Sequence, residues 1–140
     1  LGVGMEKITE YLSDKHFIPA MGQGALAIEC REDDKEIRQL LESLHDEHTA
    51  KSVQTERLFL EAFNEGEQAP IGGYAFVKDK QIHLRGMVMS LDGKTVLQHE
   101  VSGQNPEVVA QEAANKLISE GAMDIIAQVN EELANDNSFT

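Results

Sequence analysis

Apolar residues recur along this chain with two periods, and the switches between those periods locate its elements. In MEKITEYL, residues 5–12, Ile8 and Leu12 lie four apart on one helical face, and the stretch 16–19, closing on Pro19, ends that helix. GALAIEC, residues 24–30, is a short apolar run behind the flexible Gly22-Gln23-Gly24, the pattern of a buried strand. Residues 35–44 return to helical spacing through Ile37, Leu40, Leu41 and Leu44. HDEHT, residues 45–49, is wholly polar and reads as a domain boundary.

Beyond it the order is simple. Residues 50–63 are helical, with Val53, Phe59 and Phe63 near one face and Gly66 as a left-handed stop. Strands are predicted at 74–78, 81–90 and 94–102; in the second, Ile82, Leu84 and Val88 alternate with His83, Arg85 and Met87, giving a buried face and a wetter one. The connections at 78–80 and 92–93 are short, so the strands form an antiparallel meander. Asn105-Pro106 is a helix start, and Val109, Ala113 and Leu117 form its buried stripe. After Gly121, a second set of Ile125, Ile126, Val129 and Leu133 follows, and the last six residues, NDNSFT, should fray. The predicted fold class is α+β. Residues 46–140 make an α-β-β-β-α domain, a three-stranded antiparallel sheet with helices on one face, and residues 1–45 make an incomplete α/β segment of helix, hinge, strand and helix.

Composition narrows the function. The chain has 140 residues, 41% hydrophobic and 26% charged, which is ordinary for a globular domain. No apolar run approaches the length of a membrane span and no signal or transit peptide opens the chain, so a cytoplasmic location is expected. The first residue is Leu1 rather than Met, which suggests a piece of something longer. A single cysteine, Cys30, rules out an internal disulfide framework and reads as a small buried side chain.

Net charge is −13, with residues 1–45 at −4 and residues 46–140 at −9. The α-β-β-β-α order is also that of double-stranded-RNA-binding modules, but those need Lys and Arg to meet phosphates. Neither half supplies a basic patch, which argues against nucleic acid and anionic membranes as partners.

Candidate chemistry is sparse. His45, Glu47 and His48 have ligand side chains without a recognised ligand spacing, so a solvated linker is the simpler reading and no metal site is expected. Gly22-Gln23-Gly24 is a lone G-x-G, most simply a hinge. Glu56-Arg57 is either a buried pair holding its helix to a neighbour or an exposed one, and adjacent helical residues do not face each other. FNEGEQAPIGGYA, residues 63–75, sets Glu65 and Glu67 around a glycine before a Pro-Ile-Gly-Gly turn. That carboxylate pair fits an acid/base site, a metal site or a solvated loop equally well.

Three strings carry a resemblance. PAMGQGALAIECRE (19–32), TERLFL (55–60) and QAPIGGYA (68–75) resemble the C-terminal part of hydroxymethylbilane synthase, also called porphobilinogen deaminase. The resemblance implies a transferase of tetrapyrrole and heme biosynthesis. It joins four porphobilinogen units with release of ammonia on a dipyrromethane primer held by a cysteine thioether. By the resemblance, residues 1–15 close the second domain, 16–45 return through the first domain and its hinge, and 46–134 form the third. Gln23 and Gly24 would then lie near the porphobilinogen-derived pyrrole chain. The catalytic aspartate and the arginine cluster would belong to N-terminal domains outside this sequence, leaving no catalytic residue here. The family turn runs approximately Leu-Glu-Gly-Gly-Cys-Gln-x-Pro-Ile-Gly, which puts Glu67 at the cofactor-anchor cysteine, Glu65 at a glycine, and Cys30 at a different family cysteine. A carboxylate cannot form a thioether. Dipyrromethane is therefore expected to be absent and the chain alone inactive. The alternative is a degenerate relative kept for binding or regulation.

Overall fold

A computed structural model describes residues 4–63 and 70–136. Helices α1 (Lys35–Glu42) and α2 (Glu47–Glu61) are followed by strands β1 (Ile71–Lys78), β2 (Gln81–Met89) and β3 (Val96–Gly103), then helices α3 (Pro106–Ser119) and α4 (Ala122–Asp136). The strands form one antiparallel sheet in the order β1-β2-β3, with Ala75 opposite Leu84 and Leu84 opposite Val101. The α+β architecture read from the sequence is the observed one, with α4 as a further helix. One sheet face, carrying Ile71, Ala75, Ile82, Leu84, Val88 and Val101, packs with Phe59 of α2, Phe63 just beyond its end, Leu117 of α3 and Ile126 of α4 in a continuous core.

The depth of that packing is set by glycine. Gly73 and Gly86 face each other across β1 and β2, and the Phe59 ring lies over the pair. A β-carbon on Gly86 would stand 2.4 Å from Phe59 Cζ. Glycine inside a strand marks such close approaches. For the same reason β1 starts at Ile71, earlier than the expected 74: the Gly-Gly read as a turn lies inside the strand.

Capping residues account for other boundaries. Asp46 accepts a hydrogen bond from Thr49 N–H at 2.7 Å, so α2 begins at Glu47 and the polar HDEHT stretch supplies its cap and first turn. Asn105 caps α3 as expected, accepting from Val108 N–H at 3.0 Å ahead of Pro106. Asp92 Oδ1 accepts from both Ser90 Oγ–H and Lys94 N–H, which keeps Lys94 in the turn and delays β3 to Val96.

Two expected elements before α1 are corrected. Residues 5–12 form a 3-10 turn, Met5–Lys7, and not a full helix. Ile8 and Leu12 stay exposed, and so short a helix is marginal in water without a surface to bury against. Residues 24–30 form no strand, and Leu26 is 98% exposed. The reason lies at the outer edge of β1, where Gly73 N–H donates to Pro19 C=O at 3.1 Å and Ala75 N–H donates to Glu56 Oε1 at 2.7 Å. Those bonds take the open edge to which another strand would add.

The second sheet face is less wet than alternation implied. Phe76 stacks on His83 at 4.9 Å between centroids, and Arg85, only 9% exposed, lies over Phe76 while pairing with Glu100 at 2.6 Å and with Asp14.

Gly86→Ala is expected to cost about 1–3 kcal/mol by overpacking against Phe59. Urea denaturation measures it, and an unchanged midpoint would contradict the close approach. Hydrogen exchange should be faster at the amides of residues 25–31 than at those of 82–88; equal protection in a demonstrated monomer would count against an unpaired segment.

Candidate functional site

The Gly22-Gln23-Gly24 loop is built by its glycines. Gly22 and Gly24 have φ of +74° and +84°, in the left-handed region, with Gln23 exposed between them. The loop is pinned from beneath: Gly22 N–H donates to Glu56 Oε2 at 2.7 Å, and Met21 packs against Gly73. Pro19 and Ile18 continue the contact along β1, at Gly73 and Gly72. Gly22 is thereby held beside β1, and Gln23 and Gly24 follow it directly in the chain.

Glu56 decides this arrangement, and the sequence left it open between buried and exposed. It is 6% exposed, and its carboxylate divides between two backbone donors, Gly22 and Ala75. Burial pushes its pKa above the ordinary value, while the Ala75 and Gly22 amides hold it back. Arg57, by contrast, is exposed, so the two neighbours are not partners. The signal for Glu56 was present: it lies three residues before Phe59 and seven before Phe63, on the apolar stripe of α2.

Beyond the loop an open groove of about 790 Å³ runs between residues 22–28, the end of α1 and α2, lined by Leu26, Ile28, Leu44, Val53, Arg57 and Leu58 among others. Arg31 pairs with Asp34 at 3.6 Å, Arg38 donates to Glu32 C=O at 3.2 Å, and Arg85 is held by Glu100 and Asp14, which keep it firmly protonated. Arg57 is the guanidinium that reaches the groove.

Glu65, Gly66 and Glu67 lie outside the described residues. Among the described residues no group of three or more His, Cys, Asp or Glu is placed to hold a metal ion; Asp46 caps α2 and Glu47 pairs with Lys51 at 2.7 Å. Cys30, expected to be buried, is exposed, because the strand meant to bury it does not form.

Residues 50–119 match the porphobilinogen deaminase C-terminal domain, and residues 1–39 match the porphobilinogen deaminase dipyromethane cofactor binding domain. The chain belongs to the porphobilinogen deaminase family. Proteins named porphobilinogen deaminase from Oceanobacillus iheyensis and from a Geobacillus species are 47% identical over 95% of the chain, and one from Bacillus cereus is 47% identical over 94%. In each case the match covers 43% of the relative's length. A thioether to a dipyrromethane would need a sulfur nucleophile. The single cysteine, Cys30, is exposed between the glycine loop and α1, and the sequence of residues 64–69 holds carboxylates and no thiol.

Because folded Glu56 binds its proton more tightly than the unfolded chain does, its contribution to folding is greatest below the ordinary carboxylate range and is lost as pH rises through the raised pKa. The stability of the wild type relative to Glu56→Gln should therefore fall as pH rises above the ordinary carboxylate range. Paired urea denaturation across that window checks it, and a flat or rising difference would show the sign to be wrong.

Proposed function

We propose that this chain is the C-terminal part of a hydroxymethylbilane synthase, a cytoplasmic enzyme of heme biosynthesis that joins four porphobilinogen units with release of ammonia. In this reading residues 1–45 belong to the preceding domains and residues 46–140 form the C-terminal domain. The matches at 1–39 and 50–119 support that division, falling on either side of residue 45. The observation that carries the reading is the clasped glycine loop beside β1. Gly22 is held to β1 there, which supports a role for the adjoining Gln23 and Gly24 in guiding a growing pyrrole chain.

The role of this chain is then structural within the catalytic assembly. A polyanionic pyrrole chain needs paired guanidinium groups. Here Arg31, Arg38 and Arg85 are engaged elsewhere, leaving Arg57 at the groove. Substrate carboxylates would be bound by the N-terminal domains of the intact protein, its natural partners.

Glu67 favours a second reading, a relative kept for binding or regulation after loss of its anchor. The two part at the intact parent: the first requires porphobilinogen consumption, the second allows none.

Incubated with porphobilinogen, the 140-residue chain should consume none of it and keep its unmodified mass of 15.5 kDa. Intact-mass spectrometry provides the measurement. An excess equal to two pyrrole units would overturn the assignment of Glu67 to a lost anchor.

A further inference from the structure

We propose that Glu56 is a positioning residue whose carboxylate clasps the Gly22-Gln23-Gly24 loop to strand β1, and so fixes where that loop stands relative to the strand. The bond pattern is specific. One oxygen, Oε2, accepts from Gly22 N–H and the other, Oε1, accepts from Ala75 N–H, each at 2.7 Å. A single side chain thus joins two segments, 34 residues before it and 19 after it. Among the described residues the other ties to β1 are the Pro19–Gly73 hydrogen bond and the packing of Met21 and Ile18, all of which lie before Gly22. Past that point, Glu56 is what holds the loop in register with the strand.

Only an ionised carboxylate on this stem can do both jobs. A glutamine offers one acceptor oxygen and would turn an NH2 group towards the second backbone donor, and a protonated glutamic acid likewise gives up an acceptor for a donor. Aspartate is one methylene shorter and cannot span both amides from the same helix position. The loop's placement therefore follows the charge of Glu56. No titratable residue occurs in segment 19–24 to share that task. Tyr74, His83 and Arg85 of β1 and β2 occupy the opposite sheet face, and Lys78 ends β1 exposed. On α2 itself Lys51, Arg57 and Glu61 are exposed, as are Glu107, Glu112 and Lys116 of α3. The relevance of this clasp to pyrrole handling rests on the proposed function, but its existence does not.

The test is an amide-resolved NMR titration of the 15N-labelled chain with Glu56→Gln, Glu56→Asp and the exposed control Glu61→Gln. In the wild type the Gly22 and Ala75 amide protons should shift with one shared pH midpoint, a signature that merely structural burial would not produce. Glu56→Gln should abolish that shared transition and speed exchange at Gly22 by roughly tenfold or more, as loss of a charge-assisted hydrogen bond implies. Glu56→Asp should fail to restore it, and Glu61→Gln should leave both amides unchanged. Separate midpoints at Gly22 and Ala75, or Gly22 exchange unaffected in Glu56→Gln, would overturn the clasp. If Glu56→Gln does not fold, the wild-type midpoints decide alone. Failure of the pyrrole reading would appear in porphobilinogen turnover by the intact protein and would leave these amide signals as they are.

Discussion

The ring of Phe59 occupies the space that a β-carbon on Gly86 would need, and the surrounding geometry descends from that contact. With Gly73 opposite Gly86, the sheet presents a patch without side chains, and α2 settles onto it. Glu56 lies one turn earlier on the same helical face, so settling Phe59 carries a carboxylate against the outer edge of β1. An uncompensated carboxylate there would cost several kcal/mol. It is partly compensated by the donors that the edge strand and the glycine loop have to spare, with burial still outweighing them. Aromatic ring, glycine pair and buried acid are thus consequences of one packing depth.

The same edge explains the fate of the apolar run at 24–30. The outward-facing amides of Gly73 and Ala75 are taken by Pro19 and Glu56, so the middle of that edge is closed to another strand. The run follows the clasped loop and passes along α2 as one wall of a groove, with Leu26 and Ile28 exposed. Residues 1–39 match the cofactor binding domain, whereas the sheet lies within the C-terminal-domain match, so the run and the sheet belong to different family modules. An apolar strand pattern can be sound and still find no partner in the sheet nearest to it.

Legibility in the sequence divides along similar lines. The meander and the helices α3 and α4 could be read because their signals are local: alternation in β2, an Asn-Pro cap, and a three- and four-residue repeat through Val109, Ala113 and Leu117. The early start of β1 was hidden because Gly-Gly has the composition of a turn, and its place in a strand depends on Phe59 arriving from another element. The HDEHT stretch concealed a cap at Asp46, a local signal outweighed by the polarity around it. At the candidate site the glycine hinge was visible and its clasp was not. A glutamate on the apolar stripe of α2 becomes informative only when two backbone donors are found to converge on it.

Folding and anchoring chemistry are separable in this domain. The bonds that define the clasp, the sheet edge and the core are made among the described residues. What position 67 can do depends on its side chain: a thiolate attacks carbon to leave a stable thioether, whereas a carboxylate forms at best a hydrolysable ester. Residues 64–69 carry two carboxylates and no sulfur, so they cannot supply a thioether whatever backbone holds them.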